Sequence, residues 1–306
     1  MRKLRYHLID VFTDRAFGGN QLAVFTDVED VSSRMMQSIA KELNLSETTF
    51  VLPPNDRSNH YRVRIFAPAV ELPMAGHPTI GTSFVLARNR MIERCERITM
   101  LRLEERVGTI PVTIEWDDGQ PDFIEMSQPL PTFGSRFTDT GVIAEMLSLD
   151  EDAITDTNLP LEVVSCGVPF LFVPLRDLQA ARSIRFRLDV WEKVLRDYEA
   201  PHIFVFTKDT EVEGSTVHSR MFAPASGISE DPATGGASGP LGCYLVRHQV
   251  LPAAGKIECV SEQGLEMGRP SFIKIRIEQN KEGEITAVSV GGRCHSMGEG
   301  YFEINE

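Results

Sequence analysis

Apolar and polar positions alternate from the start of the chain, Leu4, Tyr6 and Leu8 against Arg5 and His7, which predicts a strand before Asp10. Further on the period changes. Met35, Met36, Ile39, Ala40 and Leu43 recur at helical spacing behind Ser32 or Ser33 as a cap, and Leu188, Val190, Trp191, Val194 and Leu195 repeat the pattern in the second half. Both predict one-sided surface helices. Two other helical segments, about Thr79 to Met91 and about Gly236 to His248, are apolar on all faces, so each is expected inside a curved sheet. Strands are predicted over Tyr61 to Phe66, Ile98 to Leu103, Val112 to Trp116, Phe123 to Met126, Val163 to Cys166, Phe170 to Pro174, Phe272 to Ile277 and Ile285 to Val290.

The order of elements repeats. Arg64-Ile65-Phe66-Ala67-Pro68-Ala69 returns as Arg220-Met221-Phe222-Ala223-Pro224-Ala225, an offset of 156 residues in a chain of 306. His77-Pro78 lines up loosely with Asp231-Pro232 at an offset of 154. One α+β unit used twice is the expectation, with the Pro-rich segment Met126 to Pro131 as linker. The domains are drawn as 1–131 with 291–306, and as 132–290.

Composition narrows the class of partner. Hydrophobic residues make up 42% and charged residues 25%, ordinary for a protein that folds in water. The net charge of −13, without a basic run, speaks against nucleic acid. No apolar window has the length of a membrane span or of a signal peptide, and five widely spaced Cys read as reduced thiols, so a cytoplasmic protein is expected. No spacing fits zinc, no Rossmann fingerprint follows a first βαβ strand, and no serine elbow occurs. Neither a metal nor a cofactor is expected.

Three places carry candidate chemistry. Glu230-Asp231-Pro232-Ala233-Thr234-Gly235-Gly236 sets two carboxylates before a glycine-rich helix start, where free N–H groups and the helix dipole suit a small anion. Taken alone, an Asp before Pro reads first as a plain helix cap, and the internal repeat is what brings catalysis forward for Asp231. Gly76-His77 precedes the first apolar helix, and a lone His before Pro is usually structural; facing Asp231 across a domain cleft, it would form one half of an acid and base pair. Glu47 opens a strand after Asn44-Leu45-Ser46, and by residue type alone it reads as a solvated charge.

Taken together, Asp10-Val11-Phe12-Thr13, Gly19-Asn20-Gln21-Leu22-Ala23-Val24-Phe25, Asn44 to Phe50, Phe66-Ala67-Pro68, Glu71 to Gly81 and Glu230 to Gly235 resemble the PhzF family of phenazine-biosynthesis isomerases over the whole chain. The resemblance implies the diaminopimelate epimerase fold, two pseudo-symmetric halves that each wrap a curved, mostly antiparallel sheet around a central apolar helix. It implies a cofactor-independent isomerase that moves a proton between carbons of trans-2,3-dihydro-3-hydroxyanthranilate or a related small carboxylate, and a homodimer. The catalytic residues of the family fall on Glu47, His77 and Asp231, and its ligand-binding backbone falls on Gly76, His77, Gly235 and Gly236. Gly236 stands where the family has Ser, which leaves the substrate open. The thiol positions of cysteine-based epimerases fall near Ala75 and Thr234, so a two-thiol mechanism is excluded by residue type. Epimerase-like proton transfer on an amino-acid-like compound and ligand binding without turnover are the alternatives.

Overall fold

The computed structural model describes residues 2–95, 97–252 and 255–304. In chain order the first half forms β1 (Arg2–Val11), β2 (Asn20–Phe25), α1 (Ser33–Leu43), β3 (Glu47–Leu52), β4 (Tyr61–Phe66), β5 (Glu71–Leu72), α2 (Gly76–Arg88), β6 (Ile98–Glu105), β7 (Gly108–Asp117) and β8 (Gln120–Gln128). Then come β9 (Thr132–Phe137), α3 (Thr140–Leu147), α4 (Asp152–Thr155), β10 (Leu161–Ser165), β11 (Pro169–Pro174), α5 (Leu178–Ser183), α6 (Leu188–Val194), β12 (Ile203–Thr207), β13 (Val217–Ala223) and β14 (Ile228–Asp231). The chain closes with α7 (Gly235–Arg247), β15 (Lys256–Gln263), β16 (Ser271–Gln279), β17 (Ile285–Gly292) and β18 (Cys294–Ile304).

Two compact units result. The first runs to Ser127 and resumes at Val290; the second is Gln128–Ser289. The division falls inside the Pro-rich segment Met126 to Pro131, between Ser127 and Gln128, and Gln128 shows why: its side-chain amide donates to Gly235 O of the second unit at 2.9 Å.

In the first unit the strands pair in the order β18-β1-β2-β3-β4-β6-β7-β8, with β5 beside β4. In the second, β9-β10-β11-β12-β13-β15-β16 follow with β14 beside β13. The parallel pairs coincide as well: β2–β3 and β4–β6 match β11–β12 and β13–β15. Each sheet encloses one helix. Along α2 every residue from Gly76 to Ala87 is buried, and along α7 every residue from Gly235 to Val246. Contacts with β1, β2, β3, β7 and β18 surround α2, which is why a helix with no polar face is stable there.

Surface helices complete each unit. α1 is capped by Ser32, whose Oγ accepts from Met35 N at 3.2 Å, and buries Met36, Ile39 and Ala40 under Phe25, Phe50 and Phe66. The second unit covers the same face with α3, α5 and α6, of which only α6 is predicted by the periodicity. Leu188 of that stripe is half exposed.

Side-chain pairs show the duplication more sharply than the strand order does. Arg64 makes a bidentate pair with Glu71, Nε to Oε1 and Nη2 to Oε2 both at 2.8 Å, under Phe66; Arg220 repeats this with Glu230 at 2.8 and 2.9 Å under Phe222. Glu104 accepts the consecutive amides of Asn55 and Asp56, and Glu262 those of Glu211 and Val212. The Phe-Ala-Pro repeat is thus the visible part of a repeated ion-pair corner.

This correspondence corrects one expectation. The helices start at Gly76 and Gly235, an offset of 159, so Glu71-Leu72-Pro73 matches Glu230-Asp231-Pro232. His77 therefore corresponds to Gly236, and Asp231 to Leu72. Pairing His77-Pro78 with Asp231-Pro232 matched the wrong prolines. The central helices also begin earlier than predicted, because Gly76-His77-Pro78 and Gly235 already belong to the first turn, where Pro costs nothing.

Candidate active site

In the first unit a strand start and a helix start supply the chemistry. Glu47 is the first residue of β3, a strand buried throughout, and His77 is the second residue of α2. Their separation is set by the strand and helix around them: Thr49 Oγ1 of β3 lies 2.8 Å from Thr82 Oγ1 of α2. Glu47 Oε2 then lies 3.1 Å from His77 Nε2, with the two residues only 7% and 3% exposed. Glu47 is a buried carboxylate, not a solvated charge.

The imidazole is tuned from a third element. Asn20, buried at the start of β2, places Nδ2 3.1 Å from His77 Nδ1. An amide N–H can only donate, so Nδ1 accepts and the ring proton of neutral His77 sits on Nε2, the nitrogen 3.1 Å from Glu47 Oε2, without hydrogen-bond geometry to it. Burial holds the ring neutral, lowering its pKa to about 3. Asn20 is a functional residue that residue-type reasoning passes over, since nothing in Gly19-Asn20-Gln21 shows that it meets a histidine 57 positions on.

The second unit holds the other predicted residues. Asp231 ends β14, and Gly235 and Gly236 open α7. Asp231 is not the helix cap. That position is Thr234, whose hydroxyl donates to Asp231 Oδ2 at 2.5 Å and whose own side chain makes no capping bond. Gln263 at the end of β15 fixes the turn from below: its Nε2 donates to Asp231 O at 2.7 Å and to Thr234 Oγ1 at 3.0 Å, while its Oε1 accepts from Thr234 N at 3.0 Å. Ala75, at the cap of α2, likewise offers no side-chain bond to its helix.

Cys166, Cys243 and Cys259 are buried free thiols and Cys95 is exposed; no thiol stands at Ala75 or Thr234. Among the described residues no group of His, Cys, Asp and Glu could hold a metal ion, and no helix is long and apolar enough to cross a membrane. In the first unit, then, a carboxylate faces a neutral imidazole of fixed tautomer inside a duplicated α+β scaffold.

The duplicated α+β scaffold is the epimerase-like architecture, and the relatives it leads to are isomerases. With a match over residues 9–300 to the family described as phenazine biosynthesis-like protein, PhzC-PhzF, the chain belongs to that family. It is similar to the trans-2,3-dihydro-3-hydroxyanthranilate isomerase of Pseudomonas aeruginosa, 38% identical with 97% of this chain and 98% of the relative covered. Among solved structures it resembles a PhzF-family phenazine biosynthesis protein of Bacillus anthracis, with TM-score 0.89, 26% identity, and 99% and 100% of the two chains covered. A hydroxyproline epimerase of Agrobacterium vitis shares the fold, with TM-score 0.67 at 12% identity over 99% of this chain and 91% of the other.

Proposed function

We propose that this isomerase acts on trans-2,3-dihydro-3-hydroxyanthranilate or a closely related cyclic carboxylate, and that Glu47 carries the proton. The observation that carries this reading is the Glu47 and His77 pair at 3.1 Å in a buried setting, in a chain 38% identical to an enzyme of that name. Glu47 removes a proton from one carbon as a carboxylate and returns it to another as a carboxylic acid, so substrate and product keep one formula. Neutral His77, with its proton on Nε2, orients Glu47 and donates to negative charge that develops on the substrate. Gly76 lends a helix-start amide nearby.

Gly235 and Gly236 at the start of α7 are assigned the substrate carboxylate, with Asp231 set beside them by Thr234 and Gln263. Gly236 removes the hydroxyl that the family carries there, which favours a substrate close to, rather than identical with, the phenazine precursor. A cytoplasmic location and a homodimer belong to the same proposal. Incubation with trans-2,3-dihydro-3-hydroxyanthranilate in deuterated water tests it. Deuterium at a single ring carbon of the product, absent with Glu47→Gln, is expected; full turnover by Glu47→Gln would overturn the assignment.

A further inference from the structure

Glu105, the last residue of β6, takes no part in the pair described above, yet it is 5% exposed and reaches the first turn of α2. Its Oε1 lies 2.5 Å from Thr79 Oγ1, and the same hydroxyl lies 2.7 Å from Ala75 O. Hydrogen-bond arithmetic decides the donor. A threonine hydroxyl has one proton, and a backbone carbonyl can only accept. Ser238, the counterpart of Thr79, donates to the corresponding carbonyl, Thr234 O, at 2.9 Å, so the Thr79 proton goes to Ala75 O. The proton in the contact between Glu105 and Thr79 must then come from the carboxyl group.

The second unit supplies an independent argument. Strand register pairs Arg62 with Glu104 and His218 with Glu262, so the residue after each carboxylate, Glu105 and Gln263, is equivalent. Gln263 is a neutral amide that donates from Nε2 to the turn before α7. A protonated Glu105 has the same shape and charge. Its other oxygen, Oε2, is buried without a hydrogen-bond partner, which a carbonyl tolerates far better than a carboxylate does.

We propose that Glu105 is a positioning residue that works as a neutral carboxylic acid, donating to Thr79 and thereby holding the turn Ala75-Gly76-His77 that presents the imidazole. Ionised, it would reclaim the Thr79 proton and strip Ala75 O of its bond. The first consequence falls on His77.

The neighbouring elements bring ionisable groups, and none of them acts on Glu105. On β4 they are Tyr61, Arg62 and Arg64, with Arg62 bonded to Asn55 and Arg64 to Glu71; on β6, Arg102 and Glu104, with Glu104 held by Asn55 and Asp56. On β7, Glu115 and Asp117 stand at the far end, opposite Ile98 and Gln120; on α2 are the neutral His77 and, at the last turn, Arg88. Burial is the dominant influence and raises Glu105 to about 8; only a Thr79 hydroxyl donating to the carboxylate would oppose it, and that proton is committed to Ala75 O. With the ordinary value near 4.5, the folded chain binds a proton that the unfolded chain releases between about pH 4.5 and 8. Stability from this group is thus full below that window and lost as pH rises through it.

The inference rests on the assignment of His77 to the chemistry, and the test separates the two. Urea midpoints of wild type and Glu105→Gln are measured from about pH 5 to 9, without substrate. The wild-type midpoint should fall with pH relative to the variant; parallel curves would overturn a protonated Glu105. The pH profile of kcat/KM is then compared. Wild type should lose activity above about pH 8, whereas Glu105→Gln, within about threefold of wild type at neutral pH, should not. Identical profiles would overturn the positioning role. If neither protein turned over the substrate while the midpoints diverged, the functional reading would fail and the neutral acid would stand. Should Glu105→Gln not fold, the infrared carbonyl band of a buried carboxylic acid in wild type, present near neutrality and lost above about pH 9, carries the same decision.

Discussion

Asn20 Nδ2 and His77 Nδ1 meet at 3.1 Å, and this contact, made between the start of a strand and the start of a helix, decides which face of the imidazole carries the proton. Without it the ring could present a lone pair to Glu47. Asn20→Leu should therefore lower kcat by about tenfold with little change in KM, and Glu47→Gln should lower it by about a thousandfold while ligand still binds. Steady-state kinetics with a ligand-binding titration checks both. An Asn20→Leu enzyme with wild-type kcat would remove the tautomer argument.

Acid should weaken the fold through one buried and one half-buried imidazole. Burial lowers His77 to about 3 and His202 to about 4, and His202 Nδ1 has no hydrogen-bond partner. Below pH 6.5 the unfolded chain takes up protons that the folded chain refuses, so stability is lost as pH falls from about 6.5 toward these values. His202→Leu, which replaces the ring beside Phe170 with an apolar group, should gain about 1 kcal/mol at pH 5, measured by urea denaturation. A loss of stability at that pH would show that the imidazole has a partner.

How much of this was legible follows from what each feature needs. The buried helices α2 and α7 are readable because an all-round apolar stretch of 13 residues has nowhere else to go. The repeat is readable because the corner of Arg64, Phe66 and Glu71 needs those residue types and returns as Arg220, Phe222 and Glu230. β18 is not legible because its Gly-rich, half-exposed sequence has no apolar period; pairing with β1 along Arg2 to Val11 makes it a strand. Helices α3 to α5 are short, and the single side chains that cap α3 and α5, Asp139 and Asp177, are signals too local to outweigh the loops around them. Glu47, Asp231 and the glycines could be nominated from motifs, whereas Asn20, Gln263 and Glu105 act across long sequence separations and emerge only from the packed structure.

Alkali should act on the second unit through His218. The ring is fully buried; desolvation alone would lower its pKa, but hydrogen bonds from Nδ1 to Glu262 at 3.0 Å and from Nε2 to Glu266 at 2.9 Å outweigh it and lift the value to about 9. The stability gained from this ion triad is full below pH 6.5 and is lost as pH rises through about 9. His218→Phe should cost roughly 3–5 kcal/mol near neutrality, because two carboxylates are left in the interior without their cation. Urea midpoints at neutral pH decide this. A cost below about 1 kcal/mol would mean that the triad is solvated.

The turn before α7 provides a test in which strain and collision can be separated. Gly264 follows Gln263 and has φ +76°, and a Cβ there would stand 2.5 Å from both Pro232 O and Arg269 O. Backbone oxygens at that distance cannot be relieved by a rotamer change, so Gly264→Ala must shift the turn that carries Asp231 and Thr234. Gly283 has nearly the same backbone, φ +84°, with nothing within 4 Å of the added atom. Gly283→Ala should therefore cost about 1 kcal/mol from the left-handed conformation alone, without effect on ligand binding. Gly264→Ala should cost about 2–4 kcal/mol and weaken binding of a carboxylate ligand more than about tenfold. Calorimetric titration of both variants with the same carboxylate makes the comparison, and equal affinities would show that the Asp231 turn does not hold the ligand.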